Sequence, residues 1–243
     1  MSAAITLSLP EFDVLWEDLR AGAVPYPFGI AQHGLTLDER ARIRADVHAG
    51  LERRGLVRRG GPEPELANAL RLLAEPEVRI TVMGMPDAAT EELLRALVAA
   101  RGGDAVLAVQ RGDVVRLEPL RDVSLAAAAV SVLPRQRPGP GRPVTVPASA
   151  LGPRAPREGF ARPVRGSADD DVRALLAMLA GPITGTGHFS VTVEGRPPAA
   201  PVSWIDTPRG RYAGTGREWL TVAPADHDGL ARRISQALAP TGR

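Results

Sequence analysis

The chain has 243 residues, 44% of them apolar, which is enough to bury the core of one large domain or two small ones. Its 30 basic residues are all arginine and face 28 acidic ones for a net charge of +2, so the high pI reflects arginine's pKa more than a cationic excess. With no cysteine, disulfides, thiolate metal sites and thiol nucleophiles are excluded, as suits a reducing compartment.

The first residues, MSAAITLSLPEFDVLWEDL, lack a basic region and are interrupted by Pro10, Glu11 and Asp13, unlike a secretory signal. The most apolar run, Ser124 to Leu133, is too short to span a bilayer, and a cytoplasmic location is expected. In ITLSL, Ile5, Leu7 and Leu9 alternate as in a half-buried strand, and Phe12, Leu15, Trp16 and Leu19 then recur at helical spacing, which places Trp16 in the core. After the Pro and aromatic loop VPYPFGIAQHG, Thr36 and Glu39 form a capping box for a helix that Gly55 ends. His33 and His48 are isolated and read as surface or loop residues.

A second helix, PELANALRLLAEP, precedes the strand EVRITVMGM. The segment ATEELLRALVAARGG favours a helix by residue type and by the spacing of Leu93, Leu94, Leu97 and Val98. A hairpin follows: Ala105, Leu107 and Val109 alternate, Arg111 to Asp113 turn, and Val115 and Leu117 resume the alternation. The helix LRDVSLAAAAVSVL closes the first half, residues 1–133. Residues 134–166 are rich in Pro, Gly and Arg and read as a solvated basic connector with one short extended piece, RPVTVPASAL. The second half, 167–243, runs as a helix (SADDDVRALLAMLAG), strands GHFSVTVEG, PVSWIDTP, GRYAG and EWLTVAP, and a final helix.

An offset of 105 residues lays Gly112–Leu133 over Arg217–Leu238 without a gap: Val115 and Leu117 match Leu220 and Val222, Pro119 matches Pro224, and Leu125 matches Leu230. Both segments are strand, proline turn and helix, so the chain reads as two related halves. The positions matching His227 and Asp228 are Asp122 and Val123, which hold no common metal or catalytic set. Asp226 and Asp228 therefore read as an N-cap and a first-turn carboxylate. The glycine pairs in ITGTGHF and GTGREW lack the spacing and context of a phosphate loop, and no nucleophile elbow or zinc-protease motif occurs. No enzyme, metal or cofactor is indicated.

Four stretches in order, LSLPEFDVLWEDL, HGLTLDERARIR with LERRGL, LRALVAARGGDAVLAVQRGDVVRLEP, and GRYAGTGREWLTVAPADHDGLARRI, resemble the EspG family of ESX (type VII) secretion-associated proteins of actinobacteria. The resemblance spans nearly the whole chain. It implies a single α+β domain of residues 1–243, with two pseudo-twofold halves and a central, largely antiparallel sheet packed with helices. It also makes LLRALVAARGG a strand, against local propensity. The implied role is a cytoplasmic chaperone without enzymatic activity that binds the PPE tip of PE/PPE heterodimers, keeps them soluble and delivers them for secretion. The basic connector leaves room for contact with the secretion machinery.

On VRITVMGM, Val78, Ile80 and Val82 share the core face, and Arg79, Thr81, Met83 and Met85 the other. Met83 and Met85, with Pro86, Asp87 and Thr90 of the following loop, which resembles a client-contacting loop of the family, are the candidate partner-binding residues. Packing at a sheet edge or under a helix is the alternative for the two methionines. Arg95, Arg101, Phe189 and Arg211 are weaker candidates for the same surface. Tyr212 and Trp219 are expected in the core, and Trp204 and Asp206 are ambiguous. The competing function is a nucleic-acid-binding regulator using the arginine-rich connector.

Overall fold

The structure is a computed structural model describing residues 4–151 and 167–239. Strand β1 (Ile5–Ser8) runs directly into helix α1 (Leu9–Asp18). Ser8 makes the switch: its hydroxyl accepts from the Glu11 amide, and the Glu11 carboxylate accepts from the Ser8 amide at 2.8 Å, a reciprocal cap. Phe12, Val14, Leu15 and Trp16 are buried on α1, with Phe12 and Trp16 stacked at 5.2 Å. Helix α2 (Leu37–Arg53) is capped by Thr36, and Gly55, at φ +68, carries the chain away from its end. The Glu39 carboxylate accepts from the Leu35 amide rather than from Thr36, so the capping box is shifted by one residue.

A small hairpin, β2 (Val57–Arg58) and β3 (Gly61–Pro62), leads to α3 (Pro64–Ala74). Next come β4 (Val78–Met85), β5 (Leu94–Arg101), β6 (Asp104–Arg111) and β7 (Val114–Leu120), then the short helix α4 (Leu125–Val130), capped by Ser124. In the second half, β8 (Val144–Pro147), a 3-10 turn η1 (Ala148–Leu151) and α5 (Ser167–Met178) precede β9 (Gly185–Val193). Strands β10 (Val202–Thr207), β11 (Gly210–Thr215) and β12 (Trp219–Pro224) and helix α6 (His227–Leu238) complete the chain.

Ten strands form one antiparallel sheet in the order β1-β7-β6-β5-β4-β9-β10-β11-β12-β8. The order reads as two copies of one five-strand ladder joined back to back, with Val82 opposite Phe189 at the β4–β9 seam. The offset of 105 residues carries β7 onto β12, and the register carries the edge strand β1 onto β8. A gapless offset cannot reveal that last equivalence, because the segments between edge strand and ladder differ in length.

Leu94, Ala96 and Val98 of β5 bury one face and Leu97 and Ala99 the other, so the strand is a doubly covered central strand despite its helical composition. Helices α4 and α6 cover the upper face across the seam, over Ile80, Val82, Phe189 and Trp204. The lower face of the first half lies under α1, α2 and α3, with Leu97, Ala99, Val106, Ala108, Val115 and Leu117 inside. On the lower face of the second half, α5 packs on β8, burying Val144, Val146, Leu175, Met178, Tyr212 and Val222.

Two expectations are corrected. Residues 134–147 are not a free connector, although many of them are exposed: Gly139 donates to the Arg211 carbonyl and the Arg211 amide donates to the Arg137 carbonyl, while the extended piece expected in RPVTVPASAL is β8, which closes the sheet edge. Residues 152–166 of the expected connector lie outside the described residues. Trp219 is 61% exposed rather than core, because it stands at the start of β12 on the upper face beside the edge strand. Tyr212 is buried, its ring held against Gly139 and its hydroxyl donating to the Pro140 carbonyl.

Candidate protein-docking face

Side-chain parity on β4 places Arg79, Thr81, Met83 and Met85 on the lower face. Their partners across the ladders share that face: Arg95 on β5, Thr186, His188, Ser190 and Thr192 on β9, and Ser203 and Ile205 on β10. This strip lies between the first-half helices and α5. Thr81 is buried, while Met83, His188, Ser190, Ser203 and Ile205 are half-buried and Met85 is 38% exposed. Hydroxyls, an imidazole and thioethers thus occupy the middle of a sheet whose flanks carry aliphatic residues, as a sheet face open to solvent requires.

Glycine shapes the other side of the same strands. The indole of Trp204 lies over Gly84 and Gly187, where added Cβ atoms would sit 2.9 and 2.2 Å from its Cη2 atom. Gly84 and Gly187, the second glycine of ITGTGHF, therefore make room for a buried tryptophan between β4, β9 and β10, while the first, Gly185, lies against the Pro86 carbonyl. Trp204 in turn packs on Phe189 at 5.2 Å.

At its Met85 end the strip is framed by two loops. The β4–β5 loop is fixed by the Ala88 amide donating to Thr184 O at 2.8 Å, by the Ala89 amide donating to the Asp87 carboxylate, and by the Thr90 hydroxyl donating to Asp87 O. Ile183, 49% exposed, precedes β9 beside it. The α1–α2 loop buries Pro25, Pro27 and Phe28 and turns Tyr26 outward, where its hydroxyl donates to Met83 Sδ at 2.8 Å. Gly29 packs against the Arg95 guanidinium and exchanges two hydrogen bonds with the buried Gln110 side chain.

Of the candidate residues, Met83, Met85 and Arg95 come together on this face, and Pro86, Asp87 and Thr90 follow at its end. Arg101 is on the same face of β5 but six residues from Arg95, about 20 Å along the strand, beside Glu75 and Glu77. Phe189 and Arg211 have no exposed surface and belong to the interior: Phe189 packs on the opposite face, and Arg211 holds Asp206 through two bonds of 2.6 and 2.7 Å. Sequence parity had placed only β4, so it could not tell which face of β9 or β11 met the strip. Tyr26, Ile183, His188 and Ile205 were not singled out. The one sequence signal for Tyr26 is its place between two prolines before Phe28, which is where a loop anchored by apolar residues presents a single side chain.

The cluster at Asp226 to Asp228 is a helix start. The Asp226 carboxylate accepts from the Gly229 amide at 2.8 Å, Asp228 is exposed in the first turn, and His227 Nε2 lies 3.2 Å from the Leu133 carbonyl. Burial holds the His227 pKa below the usual imidazole range, and Arg211 and Arg135 push the same way, while the Leu133 contact opposes them. Among the described residues there is no group of three His, Cys, Asp or Glu able to hold a metal ion, and no helix long and apolar enough to cross a membrane.

The chain belongs to the EspG family, whose family profile matches residues 8–236. Its fold is similar to that of the Mycobacterium tuberculosis type VII secretion system chaperone EspG5, solved in complex with the PE25-PPE41 dimer. The two share 16% identity at a TM-score of 0.71, covering 99% of this chain and 98% of that one. No curated protein matches the sequence significantly.

Proposed function

We propose that this EspG-family chain is a type VII secretion chaperone, without enzymatic activity, that binds a PE/PPE-like heterodimer in the cytoplasm, keeps it soluble and hands it on for secretion. The observation that carries the reading is an uncovered central sheet face, framed by Met83, Met85, Ile183 and Tyr26, in a protein of this family. The similarity to EspG5, which was solved holding a PE/PPE dimer, supports it. Thioethers and aromatic rings can mould to an incoming apolar tip, and the hydroxyls of β9 and β10 supply hydrogen bonds around it.

Pro86, Asp87 and Thr90 form the end wall of the docking face and Arg95 its flank. Coexpression with the PE/PPE-like pair encoded nearest its gene should yield a complex that survives size-exclusion chromatography, and Met85→Asp should abolish that complex while the melting temperature stays within about two degrees. Separate elution of wild-type protein and a soluble heterodimer would overturn the reading.

A further inference from the structure

The α1–α2 loop has features that its role as a connection does not explain. A solvated loop of this length would turn polar residues outward and leave its backbone to water. Here Pro25, Pro27 and Phe28 are buried beneath it, with Phe28 packed 6.1 Å from Phe12 of α1. Gln110, itself only 4% exposed, clamps Gly29 from both sides: its carbonyl oxygen accepts from the Gly29 amide at 2.9 Å and its amide donates to the Gly29 carbonyl. Further along, the His33 amide donates to the Asp13 carboxylate at 2.8 Å, and Asp13 is also held by Arg40. The loop is thus pinned to α1, to α2 and to strand β6.

Within residues 25–30, that anchoring leaves one large side chain outside. Tyr26 is 57% exposed and its hydroxyl reaches only the sulfur of Met83, a weak acceptor. A phenol held so is unusual for a residue whose two apolar neighbours are buried. Its ring stands at the border of the open strip, and β5 places Arg95 directly across the ladder from Met83, with Gly29 against the guanidinium. The second half has no counterpart: among the described residues the elements between β8 and β9 are η1 and α5, which pack at the far edge of the sheet. The strip is therefore walled on one side by a pinned aromatic.

We infer that Tyr26 is a specificity-determining anchor of the docking face, held in its bound position before any partner arrives, and that Gln110 is the residue that positions it. The inference rests on the proposed function. The occupant is the tip of the PE/PPE-like heterodimer, presenting an apolar side chain to the ring and a hydrogen-bond acceptor to the hydroxyl in place of the Met83 sulfur. Aromatic residues with few rotatable bonds lose little entropy on binding, and fixing the loop beforehand reduces that loss further.

The test is a titration of the purified PE/PPE-like heterodimer encoded nearest the gene against wild type, Tyr26→Ala, Tyr26→Phe, Gln110→Met, the Tyr26→Ala/Gln110→Met pair and Met85→Asp. Tyr26→Ala should raise Kd about 30-fold or more, and Tyr26→Phe about five-fold through the lost hydroxyl bond. Gln110→Met should weaken binding too, but add less than twofold on top of Tyr26→Ala, because it acts through Tyr26. Unchanged melting of Tyr26→Phe keeps its binding result separate from any folding defect. If Met85→Asp abolishes binding while Tyr26→Ala stays within twofold of wild type, Tyr26 merely covers Met83 and the inference is wrong although the docking face stands. If Met85→Asp also binds normally, the proposed face itself fails and the inference falls with it.

Discussion

The lower flank of the first half and the lower flank of the second half begin from the same five-strand ladder and end as different surfaces. In the first, α1, α2 and α3 cover the sheet, and Leu97, Ala99, Val106 and Ala108 fill the space beneath them. In the second, α5 and residues 137–141 reach only the outer strands, and the inner ones present Thr186, His188, Ser190 and Ser203. A repeated sheet with unequal cover leaves its open face next to the seam. Asymmetry of helices, added to symmetry of strands, is what leaves an open strip at the centre of the sheet.

The sharpest way to break this comparison is through the device that holds the thinner half together. Arg211 and Asp206 form a fully buried pair, and Arg211 also donates to the Pro134 carbonyl, fastening the crossing segment to β11. Arg211→Ala would strand the Asp206 carboxylate in the interior and should cost about 3–5 kcal/mol in urea unfolding. Arg211→Met with Asp206→Leu should recover most of that loss, because replacing both charges removes the unpaired one.

Paired truncations read the difference in cover directly. Leu97→Ala, beneath the first-half helices, should cost about 2–5 kcal/mol, whereas Ile205→Ala on the open strip should cost about 1 kcal/mol or less. Equal losses would mean that the strip is as closed as the flank. Asp226→Ala removes the cap of α6 and should cost about 1 kcal/mol with no change in metal content by elemental analysis.

The smallest effect is a difference in acid response. His227 has a depressed pKa in the fold, so its contribution is fully present above the unfolded histidine value near 6.5 and is lost as pH falls from there through the folded value. Asp13 behaves likewise at lower pH. Burial alone would raise its pKa, but the His33 amide and ring and Arg40 outweigh burial and lower it. Its contribution holds above the usual aspartate range, near 3.9, and fades as pH falls through the folded value. Acid should therefore loosen the second half before the first. His227→Gln should flatten the stability profile between pH 7 and 5, and Asp13→Asn only below that window; denaturation midpoints across pH would show both.

Much of this was legible in residue order. The caps at Thr36 and Asp226, the parity of β4 and the repeat of Gly112–Leu133 in Arg217–Leu238 depend on neighbours three to eight residues apart, or on a pattern that repeats intact. The candidate site was legible only in part. Met83 and Met85 were placed by alternation, but Phe189 and Arg211 were attached to the same surface, though their side chains point into the interior. Which side chains of β9 or β11 share the face of Met83 depends on register across strands more than a hundred residues away, and no local signal carries it.

The sequence by itself determined where most elements begin and end, which side of β4 is core, and that the chain is a duplication, because capping and alternation are local free-energy choices that the chain makes with its nearest residues. Local propensity missed the strand at Leu94–Arg101, which the family resemblance implied, and tertiary structure decided that Trp219 is exposed, that the extended piece expected in RPVTVPASAL is an edge strand at residues 144–147, and that Tyr26 stands beside Met83. Each of these follows from what covers a residue from far along the chain. Burial on both faces outweighs the few tenths of a kilocalorie by which helix propensity would have made Leu94–Arg101 a helix.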